Sequence, residues 1–150
     1  SGPIIWVILN CGCRDMIVTG DIYEILFDRV KDAFGIGTES IYDSWNPIKS
    51  RLKEEAIVIV TSTPIEPDTY WERAYAHVNI CVPDYLGKTN TRRLNEVERM
   101  ANRWIWEDIV GEYDGSSYRI SKDSLGIEED DALKCSYVNL VLLFEILNVK

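Results

Sequence analysis

The sequence predicts an α+β domain in which two helices pack on a mainly antiparallel sheet of about four to five strands. Two segments place apolar residues at helical spacing, and a third, Arg73 to Val82, sets small and branched apolar residues at every second position over ten residues. The order of elements is helix, short strand, two longer strands, helix and two strands, which is an α+β pattern. A length of 150 residues fits one domain, with no repeat, low-complexity tract or linker to divide it.

The first helix is expected over about Asp21 to Phe34, where Ile22, Ile25, Leu26, Val30, Ala33 and Phe34 form one stripe. Asp21 and Glu24 resemble a capping box, and Gly35 and Gly37 end the helix. Ile41 to Trp45 reads as a short aromatic strand, closed by a turn at Asn46-Pro47. Ala56 to Thr61 is β-branched and apolar without alternation, as in a strand covered on both faces or touching a neighbouring subunit. From Trp71 to Val82 alternation points Ala74, Ala76, Val78, Ile80 and Val82 one way and Arg73, Tyr75, His77, Asn79 and Cys81 the other. Turn and cap chemistry over Gly87 to Thr91 leads into a second helix reaching about Val110, with Leu94, Val97, Ala101, Trp104 and Ile105 as its core stripe. Gly111 and Gly115 mark a loop, Ser117 to Ser121 a short strand, Gly126 to Asp131 an acidic turn and Val138 to Leu147 a closing strand rich in β-branched and aromatic residues.

Residues 1–15 read as an N-terminal arm or an extension, with Ser1-Gly2 resembling the residue of tag removal, Met16 as a candidate start and Ile4 to Leu9 as a strand candidate. That apolar run is far shorter than the roughly 20 residues that span a bilayer, so no membrane association is expected.

Sixteen basic against 25 acidic residues give a formal charge of −9, which opposes sequence-independent attraction to nucleic acid or an anionic membrane. The charge is segregated. Lys88 to Arg103 carries a local basic excess through Arg92, Arg93, Arg99 and Arg103, whereas Glu107 to Asp131 is strongly acidic and ends in Glu128, Glu129, Asp130 and Asp131. A dipolar surface of this kind suits head-to-tail association.

Sequence signatures of catalysis are missing. There is no phosphate-binding G-x-x-x-x-G-K-[ST] loop, no G-x-G-x-x-G turn, no G-x-S-x-G elbow and no H-E-x-x-H helix. His77 and Cys81 lie four residues apart on one strand, about 13 Å at roughly 3.3 Å per residue, too far for proton transfer. No cofactor or metal is therefore expected. Cys11, Cys13, Cys81 and Cys135 lack paired C-x-x-C spacing, and Cys81 and Cys135 read as small apolar strand residues. The acidic run lacks the alternating ligand pattern of a calcium loop. Trp104 falls on a core stripe, while Trp45, Trp71 and Trp106 fall outside one and are candidates for an intersubunit contact, together with Tyr75 and His77.

The segments AYAHVNICVPD, Ala74 to Asp84, and NTRRLNEVERMANRW, Asn90 to Trp104, resemble the strand-to-helix unit of tail terminator and head–tail joining proteins of tailed bacteriophages. Thr38 to Thr63 is similar to the short strand, loop and apolar strand of that family, and Ser136 to Ile146 to its closing strand. The resemblance implies a non-enzymatic virion protein that assembles as a hexameric or dodecameric ring at the neck or tail end, contacts other neck or tail proteins and lets DNA pass through. It carries no catalytic residues. Two other readings stand beside it: a small intracellular enzyme or metal-binding protein using Cys11, Cys13 and His77, and a monomeric adaptor binding one partner through Trp45 and Trp71.

Overall fold

The computed structural model describes residues 17–61, 64–67 and 71–147. Among these residues it is an α+β fold of two α-helices on one seven-stranded sheet, larger than the expected four to five strands and mixed, with one parallel pairing. Helix α1 spans Thr19–Val30 and is followed by strands β1 (Ile41–Asp43), β2 (Ala56–Val60), β3 (Glu66–Pro67) and β4 (Glu72–Pro83). Helix α2 spans Thr91–Trp104 and is followed by β5 (Ile109–Tyr113), β6 (Ser116–Asp130) and β7 (Cys135–Leu147). The sheet order is β1-β2-β4-β7-β6-β5, with β3 beside β4. Ile4 to Leu9, Cys11 and Cys13 lie outside the described residues.

The parallel pairing is β1 with β2, Ile41 opposite Ile57. Residues 44–55 make the return between them, the long crossover that parallel neighbours require. The remaining pairings are antiparallel, and β4 and β7 form the centre, paired from Glu72–Ile146 to Pro83–Cys135.

Alternation assigns the two faces. Ile57, Ile59, Ala76, Val78, Ile80, Ile120, Leu140, Leu142 and Phe144 point toward the helices and are fully buried. Ile22, Leu26 and Val30 of α1 and Leu94, Val97 and Ala101 of α2 meet them in one core. On the opposite face, residues 44–55 fold back over one end of the sheet, where Leu52, Ala56, Cys81 and Cys135 make a second, smaller core. The two cysteines are free thiols packed as apolar residues. The rest of that face has no covering layer among the described residues, and Tyr75, His77, Asn139, Val141 and Leu143 are half-buried or exposed there.

Several boundaries differ from expectation. Helix α1 starts earlier, and Asp21 is inside its first turn, where its carboxylate accepts the Val18 N–H at 2.9 Å and so caps the helix from within. Helix α2 ends at Trp104, and the following segment turns into β5. Its N-cap is Asn90, whose Oδ1 accepts the Arg93 N–H at 3.2 Å. Tyr113-Asp114-Gly115-Ser116 is a two-residue hairpin turn with φ of 50° at Asp114 and 86° at Gly115, so Gly111 and Gly115 do not bound a loop.

The acidic stretch Glu128, Glu129 and Asp130 is not a turn but the end of a 15-residue strand, and Asp131 begins the turn that follows. Pairing with the apolar β7 overrides the weak strand propensity of those acids. Strand β5 pairs with Ser116 to Ile120 of β6, and among the described residues no strand pairs with that side of the remainder. Charges there discourage pairing with another chain's strand, and the bulge at Lys122/Ser124 disturbs the edge further.

Gly111 faces Tyr118 across the β5–β6 ladder. A Cβ at Gly111 would sit 2.6 Å from Tyr118 Oη and 2.9 Å from an Arg29 nitrogen, so the close approach requires glycine.

Candidate assembly surfaces

Helix α2 brings the basic residues to one side of the sheet. Its apolar stripe faces the core, so Arg92, Arg99 and Arg103 project to solvent. Arg93 differs from them. Its Nε donates to Glu55 Oε2 at 2.7 Å and a terminal nitrogen donates to Glu55 Oε1 at 3.0 Å, while another donates to Glu96 Oε2 at 3.0 Å. The Glu55 carboxylate holds the guanidinium pKa above its ordinary value. Arg93 is thus half-buried and fastens α2 to the segment preceding β2, and the exposed basic surface is Arg92, Arg99 and Arg103. Trp106, just beyond the helix, is 76% exposed and lines a groove with Arg99, Asn102 and Arg103.

The acidic end lies at the tip of β6 and its turn, with Glu128, Glu129 and Asp131 exposed and Asp130 half-buried. Asp130 Oδ1 accepts the Leu133 N–H at 3.0 Å, which closes the turn into β7. Beside it, between residues 44–55 and the sheet, is a cavity of about 340 Å³ walled by Ile48, Val58, Leu133 and Tyr137 with Asn79 and Asp130. Burial raises the Tyr137 phenol pKa, with Glu128 adding to the effect. Asn79 Oδ1 is buried without a hydrogen-bond partner, an uncommon state for a polar atom.

Polar residues cross the sheet next to this cavity. Asn139 Nδ2 donates to Glu128 Oε2 at 2.9 Å, which turns the Asn139 carbonyl oxygen toward His77 Nδ1 at 3.1 Å. The proton of a neutral His77 is then on Nδ1, leaving Nε2 as an acceptor. His77, Asn139 and Glu128 form a positioned polar row on β4, β7 and β6. Among the described residues no group of three or more His, Cys, Asp or Glu is arranged to hold a metal ion.

At the other end of this face Arg119 donates to Glu145 Oε1 at 2.9 and 3.1 Å and covers the Trp71 ring at 5.6 Å. Trp71 is half-buried and Tyr75 exposed on that face, whereas Trp45 is 85% exposed in the loop after β1. The backbone N–H groups of Trp45 and Asn46 donate to Asp43 Oδ1 at 2.8 and 2.7 Å, fixing that loop. Trp104 packs edge-on against Phe34 with ring centres 5.8 Å apart.

The structure therefore divides the sequence candidates among separate places. His77 and Glu128 belong to one polar row; Arg92, Arg99 and Arg103 share the outer side of α2; and Trp45, Trp71 and Tyr75 are apart from both. Sequence reading misses Glu55 and Asn139 because neither lies in a motif; their partners are 38 and 62 residues away. A larger cavity of about 600 Å³ between α1 and the β5–β6 hairpin also goes unannounced. Four of its lining side chains pair with one another: Arg29 donates to Tyr118 Oη at 2.9 Å, and Tyr113 donates to Glu24 at 2.7 Å.

No family model and no curated protein matches the chain. A solved structure matches in fold. It aligns with a TM-score of 0.57 at 14% identity, covering 86% of this chain and 95% of the other, so the α+β architecture extends to a second protein. At this identity the likeness concerns fold alone.

Proposed function

We propose that this protein is a non-enzymatic structural subunit of a tailed-phage virion, forming a ring at the neck or tail end that terminates the tail tube or joins head to tail. The observation that carries the proposal is the placement of unlike charge on opposite faces of one sheet. Arg99 and Arg103 lie on the helix-covered side, and Glu128 and Asp130 point to the other. A contact between unlike surfaces is heterologous, and heterologous contacts close into rings when the rotation between neighbours permits.

The motif resemblance supports the same reading. Ala74 to Asp84 is the central strand β4 with its exit, and Asn90 to Trp104 is the capped helix α2, so the residues that carry the resemblance form one packed unit. A formal charge of −9 also suits a subunit around a DNA passage, because acidic walls do not capture phosphates. The partners are then further copies of the chain, as a hexamer or dodecamer, and neighbouring neck or tail proteins. The location is the virion, with the host cytoplasm during assembly.

Negative-stain imaging of concentrated protein tests the reading. Closed particles with six-fold or twelve-fold symmetry are expected; open filaments or isolated protomers at every concentration contradict it.

A further inference from the structure

We propose that Trp106 of one copy inserts into the cavity bordered by Ile48, Val58, Leu133 and Tyr137 of the next, with Arg99 and Arg103 pairing with that copy's Glu128 and Asp130. The inference rests on the ring reading and names the contact that would build the ring.

Three observations fit the two halves together. The first concerns shape and polarity. An indole is a flat, largely apolar body, and the cavity is an open, mainly apolar groove of about 340 Å³, walled by Ile48, Val58, Leu133 and Tyr137. The second is charge. Trp106 shares its groove with Arg99 and Arg103, and the cavity is bordered by Asp130 with Glu128 close by on the same face of β6. Neither arginine has an ion pair among the described residues, so both are available to a carboxylate of another molecule. The third is placement. Val58, Asn79, Cys81 and Tyr137 line the face opposite α2, so Trp106 cannot reach the cavity of its own chain.

Trp45 is more exposed than Trp106 but is the poorer occupant. It belongs to the segment whose Pro47 and Ile48 build the cavity wall, and no arginine accompanies it in the groove it lines. An aromatic anchor flanked by arginines and seated in a mainly apolar groove has the composition of an interface hot spot. Because the two halves lie on opposite faces, each protomer offers one donor and one acceptor surface, and a two-fold contact cannot use both at once.

Sedimentation velocity on the full chain tests the contact with four variants. Trp106→Ala is expected to weaken self-association at least about 30-fold, the equivalent of about 2 kcal/mol at a hot spot, while Trp45→Ala associates like the native chain. Arg99→Glu/Arg103→Glu removes the inserting surface, and Glu128→Lys/Asp130→Asn weakens the receiving one while keeping the Asp130 side-chain oxygen for Leu133. Each should remain monomeric alone. Mixed in equal amounts they should form a 1:1 heterodimer, because one intact surface remains on each; that result also shows that both variants are folded.

Native-like association of Trp106→Ala, or a mixture without heterodimer when the native chain does associate, overturns the contact. If rings persist in Trp106→Ala, the contact falls and the ring reading stands. If the native chain uses this contact but grows as an open filament, the ring reading falls and the contact stands. A native chain that is monomeric to about millimolar concentration, corresponding to about −4 kcal/mol of association energy, removes both.

Discussion

Removing Arg93 should release helix α2 from the segment before β2, and the geometry sets the size of the effect. The guanidinium makes two hydrogen bonds to opposite oxygens of Glu55 at 2.7 and 3.0 Å, and the two side chains are only 30% and 28% exposed. A fully exposed ion pair contributes about 0–1 kcal/mol, whereas hydrogen bonds to charged groups contribute about 1.5–3 kcal/mol. This pair is partly shielded and bidentate, so a double-mutant cycle of Arg93→Ala and Glu55→Ala should return a coupling of about 1–2 kcal/mol. For a chain of 150 residues the entropy of unfolding is about 0.3 kcal/mol per kelvin, which makes that coupling a shift of about 3–6 °C in Tm. The Arg93–Glu96 pair is an internal comparison, because Glu96 is 52% exposed and one turn away on the same helix. Its coupling should be about 0.2–0.5 kcal/mol and should shrink in high salt more than that of Glu55. Denaturant unfolding followed by circular dichroism measures all of these. A Glu55 coupling within about 0.3 kcal/mol of zero would show that the bidentate geometry does not anchor α2.

Other consequences concern the core, the hairpin and the thiols. Phe144 is fully buried and stacked on Tyr118 with ring centres 5.3 Å apart, so Phe144→Ala should destabilise by about 3–5 kcal/mol in urea unfolding. Gly111→Ala forces a methyl group against Tyr118 and Arg29 and should cost about 1–3 kcal/mol, with Tyr118→Phe partly relieving it. Tyr113 donates to Glu24, and this hydrogen bond, with lesser help from burial and Asp21, pushes the phenol up to about 12. Its contribution to stability is present below pH 10 and is lost as pH rises from about 10 toward 12; absorbance titration should show a late tyrosine whose midpoint Glu24→Ala moves back toward the ordinary value. Cys81 and Cys135 are free thiols that are each only 3% exposed, so alkylation followed by peptide mass analysis should label both slowly in the native chain and readily once it is unfolded.

Much of the fold is legible in the sequence because the relevant signals are local. Alternation in β4 and the apolar stripe of α2 are consequences of side-chain geometry within one element, and the structure places their apolar residues in one core. Strand β5 was hidden differently. Ile109 and Val110 read as the end of the second helix and Gly111 to Gly115 as a loop, yet Asp114-Gly115 between Tyr113 and Ser116 is the two-residue turn that hairpins favour, so a local signal is present. The long β6 had no such signal. Glu128, Glu129 and Asp130 extend only because β7 offers a partner, information that lies in another part of the chain. The parallel β1–β2 pairing likewise depends on how residues 44–55 cross back, which their composition does not specify.

The surfaces were legible as charge but not as sites. Arg92, Arg99 and Arg103 fall outside the α2 stripe in sequence and in space, while Arg93, next to them in sequence, is bound by Glu55. The cavity near Asn79 draws on β2, β4, β6, β7 and two connecting segments, and no periodicity within one element encodes such a convergence.

The central claim is self-assembly through unlike surfaces, and the mass of the native chain in solution tests it most directly. Light scattering coupled to size exclusion over a wide concentration range should give a discrete mass of six or twelve times the 17.3 kDa protomer, diminishing as salt screens the charged contacts. A mass of 17.3 kDa at every concentration and salt would contradict the account.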